Sequence, residues 1–343
     1  MASTSNLILK LTKNNNLSQE EAYALADDIL KNTLSSEETV AALIALKTKG
    51  ETSEELSGFS MALKKNALVP LTNSKDFIDV CGTGGDQLKT FNISTTVAFV
   101  LAACGLKVAK HGNRSVSSQS GSADVLAHLG MALNTSPETQ GRALDQIGMS
   151  FLFAPAVHPL MKNVMPLRKA LGIPTIFNLI GPLSNPLPLT YQVIGVYKEE
   201  LMSPLINCMK SAGIKRGAVI FGCGGMDELS LEGTNDIMML KGNTISKFTL
   251  QASDYGLVKV PNQVHACAGI SESAASLVAV LKGHEGPHLD IVLFNAAFAL
   301  YVAEVAKTID EGIDIARDAI TKGRALAVLN QLCEGENYYE QIG

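Results

Sequence analysis

The stretch Asp79-Val-Cys-Gly-Thr-Gly-Gly-Asp86, running on through Gln87-Leu-Lys-Thr-Phe-Asn-Ile-Ser-Thr-Thr96, decides how the chain is read. A short apolar run, 77–81, gives way to Gly82, Gly84 and Gly85, and an apolar helical pattern begins near Asn92. A strand, a glycine loop and a helix start in that order let backbone amides approach an anion, and the free N–H groups of the helix favour phosphate. Thr90, Ser94, Thr95 and Thr96 add hydroxyl donors. The spacing is neither G-x-x-x-x-G-K-[ST] nor a complete G-x-G-x-x-G, because position 87 is Gln. A P-loop and a dinucleotide fingerprint both fail. Taken alone, the turn fits a plain strand-to-helix connection as well as an anion site.

The rhythm around it points to a fold class. Residues 93–104 read as helix, 106–109 as strand, 122–129 and 137–147 as helices, 150–153 as strand and 157–171 as helix. Further strands are expected at 192–196 and 218–221, with the Pro-rich stretch 174–188 as a connector. Alternating strand and helix predicts an α/β domain whose central sheet is mostly parallel and flanked by helices. Residues 1 to about 70 differ, reading as helices only. They carry three capping boxes, Ser18/Glu21, Ser35/Glu38 and Thr52/Glu55, each followed by apolar residues at helical spacing. Three short helices with one apolar stripe each must pack on the rest of the chain or on a second subunit. The expected division is a small helical domain at 1–70, joined by helices from about 160–185, and a large α/β domain at 71–343.

Two more loops follow strand ends. The first, Lys110-His-Gly-Asn-Arg-Ser-Val-Ser-Ser-Gln-Ser-Gly-Ser-Ala-Asp124, offers charge at Lys110 and Arg114 and a series of serine hydroxyls. A solvated polar loop is the plain alternative. Ligands of open α/β sheets bind outside the carboxyl ends of strands, so two such loops at one edge suit a ligand with phosphates at both ends. The second, Gly224-Gly-Met-Asp-Glu228, places adjacent carboxylates after a strand, which suits magnesium. An Asp-Glu pair standing alone is more often an exposed turn.

Composition bounds the remaining classes. The 343 residues suggest about two domains, and 46% hydrophobic against 18% charged residues excludes disorder as the main state. A net charge of -5, no Trp and 5% aromatics oppose a nucleic-acid platform. Six widely spaced Cys without a C-x-x-C argue against a zinc ribbon or a disulfide framework and suit a reducing cytosol. The first residues hold no apolar signal segment, and the long uncharged run 170–197 is broken by four prolines, so a cytoplasmic, non-membrane protein is expected. His284-Glu-Gly-Pro-His288 matches H-E-x-x-H formally, but Gly286-Pro287 breaks the helix that motif needs.

Several motifs together carry a resemblance. They are GTGGD at 82–86, TFNIST at 90–95, KHGNRSVSS at 110–118 and GSADVL at 121–126, then HPLMKNVMPLRKALG at 158–172, TIFNLIGPLSNP at 175–186 and GGMDELS at 224–230. As a set they resemble the anthranilate phosphoribosyltransferases, members of the nucleoside phosphorylase/phosphoribosyltransferase class with an N-terminal helical domain. The resemblance implies transfer of the phosphoribosyl group of phosphoribosyl pyrophosphate (PRPP) to the amine of anthranilate, in tryptophan biosynthesis. It implies that PRPP is held by Gly82, Gly85, Asp86, Thr90, Asn92, Ile93, Ser94 and Thr95 of the first loop. From the second loop it implies Lys110, His111, Gly112, Asn113, Arg114, Ser115, Val116, Ser117, Ser118 and Ser122. Anthranilate would meet Gly82, Asn113 and Arg168, a guanidinium suited to its carboxylate, with His158 on its path. Magnesium, two ions per subunit, would be bound by Ser94, Asp227 and Glu228. A homodimer through the N-terminal helices is implied, with no nucleic-acid or membrane partner. The chain departs from the family pattern at Gln87, usually Gly, and at Pro174, commonly Arg. No general base is assigned, since an aniline nitrogen is neutral at pH 7. A pyrimidine nucleoside phosphorylase and an inactive nucleic-acid binder are the competing readings.

Overall fold

The computed structural model describes residues 4–114 and 121–334. The chain opens with four helices: α1 (Thr4–Thr12), α2 (Gln19–Leu30), α3 (Ser36–Lys49) and α4 (Ser53–Lys65). The last three begin at the three capping boxes, where each hydroxyl accepts from the Glu amide and each Glu returns to the cap amide. The helix α1 has no such box and was not anticipated. Glu55 does more than cap. Its buried carboxylate also accepts from Leu17 N (2.9 Å) and pairs with Lys49 (2.9 Å), so each of its oxygens has a donor. At Gly58 a Cβ would fall 2.5 Å from Gln19 O, so only glycine lets α4 lie this close to α2.

The sheet follows, with helices between its strands. In chain order the elements are β1 (Phe77–Gly82), α5 (Ile93–Ala103), β2 (Lys107–Gly112), α6 (Ser122–His128), α7 (Pro137–Gln146) and β3 (Met149–Phe153). The short α8 (Ala154–Val157), α9 (Met165–Leu171) and α10 (Ile176–Leu179) lead to β4 (Leu189–Gly195), α11 (Met202–Ser211) and β5 (Arg216–Phe221). A hairpin, β6 (Asn235–Lys241) and β7 (Thr244–Leu250), and four helices complete the chain: α12 (Ile270–Leu281), α13 (Pro287–Val302), α14 (Ile309–Thr321) and α15 (Arg324–Glu334). The strand order is β3-β2-β1-β4-β5-β6-β7, with β1 to β5 parallel and β6 and β7 antiparallel. The mostly parallel α/β reading therefore holds, while β6, β7 and the terminal helices were not read from the sequence. Because β1 pairs with β2 on one side and β4 on the other, the chain order reverses at β1. That reversal opens a crevice at the strand ends.

Strand residues alternate between two cores. Ile78 and Val80 join the layer of α5, α13 and α14, whereas Phe77 joins the layer built by the N-terminal helices and α11. The expected helix at 157–171 is instead α8, a 3-10 turn (Pro159–Asn163) and α9. Pro159 and Pro166 lack the N–H that would continue the preceding turn, so each opens a new segment. The stretch 174–188 is a connector, holding only α10 and a 3-10 turn (Pro182–Ser184). Both segments dock on the helical layer. Asn163 Nδ2 donates to Leu30 O (2.8 Å), Ser60 Oγ donates to Leu183 O (2.6 Å), and the Phe177 ring meets Phe59 edge-on at 5.7 Å. Gly286 has φ +137° and α13 starts at Pro287, so His284 and His288 share no helix face. Among the described residues no helix is long and apolar enough to cross a membrane.

Candidate active site

Three strand ends meet at Asp227. A Cβ on Gly82, the last residue of β1, would lie 2.1 Å from Asp227 Oδ2, and one on Gly195, ending β4, would lie 1.5 Å from Asp227 O. Glycine at both positions is what admits the acid. Its Oδ2 accepts from Gly84 N at 2.7 Å, tying the loop after β5 to the loop after β1. One carboxylate oxygen each from Asp86, Asp227 and Glu228 lies within 4.8 Å of the other two. Asp86 Oδ2 and Glu228 Oε2 are buried and lack a hydrogen-bond partner among the described residues. Burial, then repulsion from Asp227, pushes the Asp86 carboxyl up to about 7, and the same two causes hold Glu228 well above the carboxylate range. The exposed turn weighed for Asp227 and Glu228 is corrected: Asp227 is 8% exposed, and the Glu228 oxygen is sealed from water. Three crowded carboxylates with orphaned oxygens fit a hard divalent cation, which prefers oxygen ligands. Sequence reasoning placed Asp86 with PRPP alone; its nearness to Asp227 depends on the fold.

The loop from Gly82 to Asn92 is held open by unusual backbone. Gly84 and Gly85 have φ +68° and +94°, and so do two non-glycine residues, Gln87 (+60°) and Lys89 (+56°). Gln87 therefore departs from the family glycine at a left-handed position, a cost of about 1–2 kcal/mol. The loop's far end is pinned by Phe91 N donating to His265 O (2.9 Å) and Asn92 N donating to Ser273 Oγ (3.1 Å). Thr90 bridges to Ala266. Beyond it, Ile93 opens α5 in the core, Ser94 is half-buried in its first turn, and the buried Thr95 Oγ1 has no partner among the described residues. The Tyr197 ring, unflagged by any motif, would stand 3.3 Å from a Cβ on Gly85 and so backs the loop.

At the end of β2, Lys110 is buried and Gly112 packs against the Phe151 ring. Asn113 O accepts from Ser122 Oγ at 3.2 Å. Arg114 was expected to offer charge to a ligand; here Nη1 pairs with Asp124 at 2.7 Å, closing the base of the loop. Ser115, Val116, Ser117 and Ser118 lie outside the described residues. His111 Nδ1 sits 3.1 Å from Gly181 O, which requires its proton there, and its ring meets His158 edge-on at 5.2 Å. Burial pushes His111 down to about 3 and His158 to about 4, so both are neutral at pH 7. Arg168, on α9, is half-buried. Its Nη2 donates to Asn178 Oδ1 at 3.2 Å, and its guanidinium stands 5.7 Å from the Phe177 ring.

Beneath the site lies a group that sequence reasoning missed. Asp79 is fully buried on β1, accepting from Asn185 Nδ2 (2.9 Å) and His111 N (3.3 Å). Asn185 also donates to Ala109 O (2.7 Å) and accepts from Leu187 N (3.1 Å). Burial pushes Asp79 up to about 6. The signal available was an acid inside an apolar strand.

Comparison with known proteins agrees with this geometry. Residues 74–326 match the glycosyl transferase family α/β domain, and residues 5–67 match that family's helical bundle domain. An anthranilate phosphoribosyltransferase of Bacillus cereus is 44% identical over 332 residues, 97% of each chain. The solved anthranilate phosphoribosyltransferase of Thermus thermophilus aligns with TM-score 0.89 at 36% identity, over 95% of this chain and 98% of that one. The Saccharomyces cerevisiae enzyme, solved in complex with PRPP and Mg, aligns with TM-score 0.86 at 27% identity, over 96% and 98%. With both domains matched and near full-length identity to such relatives, the chain belongs to the anthranilate phosphoribosyltransferase family of glycosyl transferases.

Proposed function

We propose that this chain transfers the phosphoribosyl group of PRPP to the amine of anthranilate, forming N-(5-phosphoribosyl)anthranilate and pyrophosphate in tryptophan biosynthesis. The observation that carries the reading is the convergence of Asp86, Asp227 and Glu228 beside the open glycine loop. Ser94, Asp227 and Glu228, with Asp86 close to the two acids, would hold magnesium, two ions per subunit. Bound there, magnesium supplies positive charge against the pyrophosphate that departs from C1 of the ribose.

The chain's own groups do the rest. Amides of Gly82 to Asp86 and of the α5 N-terminus, with Thr90, Asn92 and Thr95, receive the phosphates. Lys110 and the loop through Ser118 and Ser122 hold the other end of PRPP. Departure leaves oxocarbenium character on the sugar, and donors aimed at the leaving group lower that barrier most. Gly82, Asn113 and Arg168 orient anthranilate, with Arg168 turning from Asn178 to the substrate carboxylate. The neutral His158 and His111 present no charge to an amine that must attack unprotonated.

Residues 1–70 with the segments near 160–185 act as one helical domain, and the α/β domain runs from 71 to 343. The Asn163–Leu30 and Ser60–Leu183 hydrogen bonds support that grouping. The protein works in the cytoplasm as a homodimer through its N-terminal helices, a reading supported by Leu9, which α1 leaves 52% exposed. The test is loss of anthranilate fluorescence with purified protein. Loss should require PRPP and magnesium together, and equal turnover in excess chelator would overturn the metal assignment.

A further inference from the structure

Between α4 and α11, which share the core on one face of the sheet, lies a crevice of about 260 Å³. Ser60, Met61 and Lys64 line it from α4, Met209 and Ala212 from the end of α11, and Leu183 from the connector. Lys64 is the only charged residue among those lining it. Among the described residues its ammonium has neither a hydrogen bond nor an ion pair, and burial holds it below the usual lysine range. The groups that favour its charge, Asp79 and the Cys208 thiol, are committed elsewhere. Asp79 accepts from Asn185 and His111, and Cys208 Sγ donates to Ser53 O at 3.2 Å, its thiol pushed up to about 11 by burial and so neutral. Most other polar walls are engaged: Ser60 Oγ donates to Leu183 O, Gln192 Nε2 to Pro182 O at 2.6 Å and Gln19 Nε2 to Met61 Sδ at 3.0 Å, while Ser211 stands exposed at the rim.

A half-buried cation without a partner, facing walls whose polar groups are mostly engaged, is an anion receptor resting on one charged contact. Phosphate or sulfate would keep most of its oxygens unpaired against Met61, Leu183, Met209 and Ala212. A carboxylate on an apolar body would pair its charge with Lys64 and bury the remainder. We infer that this crevice is a second ligand site, taking a small aromatic or branched aliphatic monocarboxylate. The inference is independent of the transferase reading.

The test uses the full chain carrying Arg168→Ala, which removes the guanidinium proposed to grip the substrate carboxylate, with 4-fluorobenzoate as probe followed by fluorine NMR. This protein should bind 4-fluorobenzoate and melt at a higher temperature in its presence. Adding Lys64→Met should weaken binding about tenfold or more, the loss expected for one charge-assisted contact, while Lys64→Arg keeps it. Ala212→Phe should block the crevice without touching the charge, and 4-fluorobenzamide should fail to bind the parent. Lys64→Met removes an unpaired charge, so its fold should stand; should it not, Ala212→Phe carries the test. Undetectable binding at millimolar probe overturns the inference, as does binding unchanged by Lys64→Met or Ala212→Phe, or equal binding of the amide.

Discussion

Two sets of buried acids sit on the same sheet and differ in what surrounds them. Asp79 lies mid-strand on β1 with Asn185 Nδ2 and the His111 amide donating to it. Asp86, Asp227 and Glu228 lie at the strand ends, where each faces the others and two buried oxygens lack a donor. Burial raises proton affinity in both places, but the surplus has different origins. At Asp79 it is desolvation, partly offset by the Lys110 charge and by hydrogen bonds; at Asp86 and Glu228 like charge adds to desolvation. A satisfied acid belongs to the architecture. A crowded acid with orphaned oxygens suits a cation.

The sharpest way to break that contrast is to neutralise one acid of each set. Asp227→Asn should cut turnover about a hundredfold or more, equivalent to about 3 kcal/mol, because charge at the leaving group's counter-ion site is lost. Yet it should raise the melting temperature measured without magnesium, since the Asn oxygen still accepts from Gly84 N and one repulsive charge is gone. A fall in both would return Asp227 to a structural role. Thermal denaturation with and without metal, beside the fluorescence assay, decides.

Asp79→Ala should do the reverse and lower stability by about 2 kcal/mol, leaving the His111 amide and one Asn185 proton without an acceptor. The conservative Asp79→Asn gives the pH signature. In the folded chain Asp79 holds its proton up to about 6, against 3.8 for an ordinary Asp, so over that window the folded state binds more protons than the unfolded. Stability from this group is complete below the lower value and is lost as pH rises through the upper one. Urea denaturation from pH 4 to 7 should therefore show a decline in the parent that Asp79→Asn flattens; an unchanged slope would remove Asp79 from the account.

Arg168→Ala probes the acceptor side, where no acid crowds. Loss of one charge-assisted contact, roughly 1.5–3 kcal/mol, should lower kcat/KM for anthranilate about ten- to a hundredfold and leave the KM for PRPP nearly unchanged. A rise in the PRPP KM alone would move Arg168 to the other substrate. The smallest effect is expected at Gln87. Restoring glycine relieves a left-handed residue at φ +60° but frees the unfolded chain, so Gln87→Gly should change stability by less than about 1 kcal/mol. Gly84→Ala, at φ +68°, should cost about that much outright. Equal effects at the two positions would mean that the acidic cluster, not the backbone, holds the loop.

Much of the helical domain was legible because its signals are local. Ser18, Ser35 and Thr52 each find their Glu within one turn, and helices start there as expected. The glycine loop was legible for a related reason: Gly84 and Gly85 announce a turn that side chains resist. The helix expected at 157–171 failed where Pro159 and Pro166 each outweighed an apolar pattern spanning them. The hairpin β6–β7 escaped notice because its outer strand is mostly exposed and lacks an apolar run.

Local pattern was enough for the order of β1 to β5, the loops after them and three helix caps, and for the chemical alphabet of the site. It could say that Asp86, Asp227 and Glu228 were acids after strands. Which acid would be satisfied and which crowded was left to the tertiary structure. Asp79 draws its donors from 32 and 106 residues away, and Asp227 reaches Gly84 across 143. Proton affinity depends on the dielectric and charge within a few ångströms, and only the parallel packing of β1, β4 and β5, with glycine at Gly82 and Gly195, brings those ångströms together.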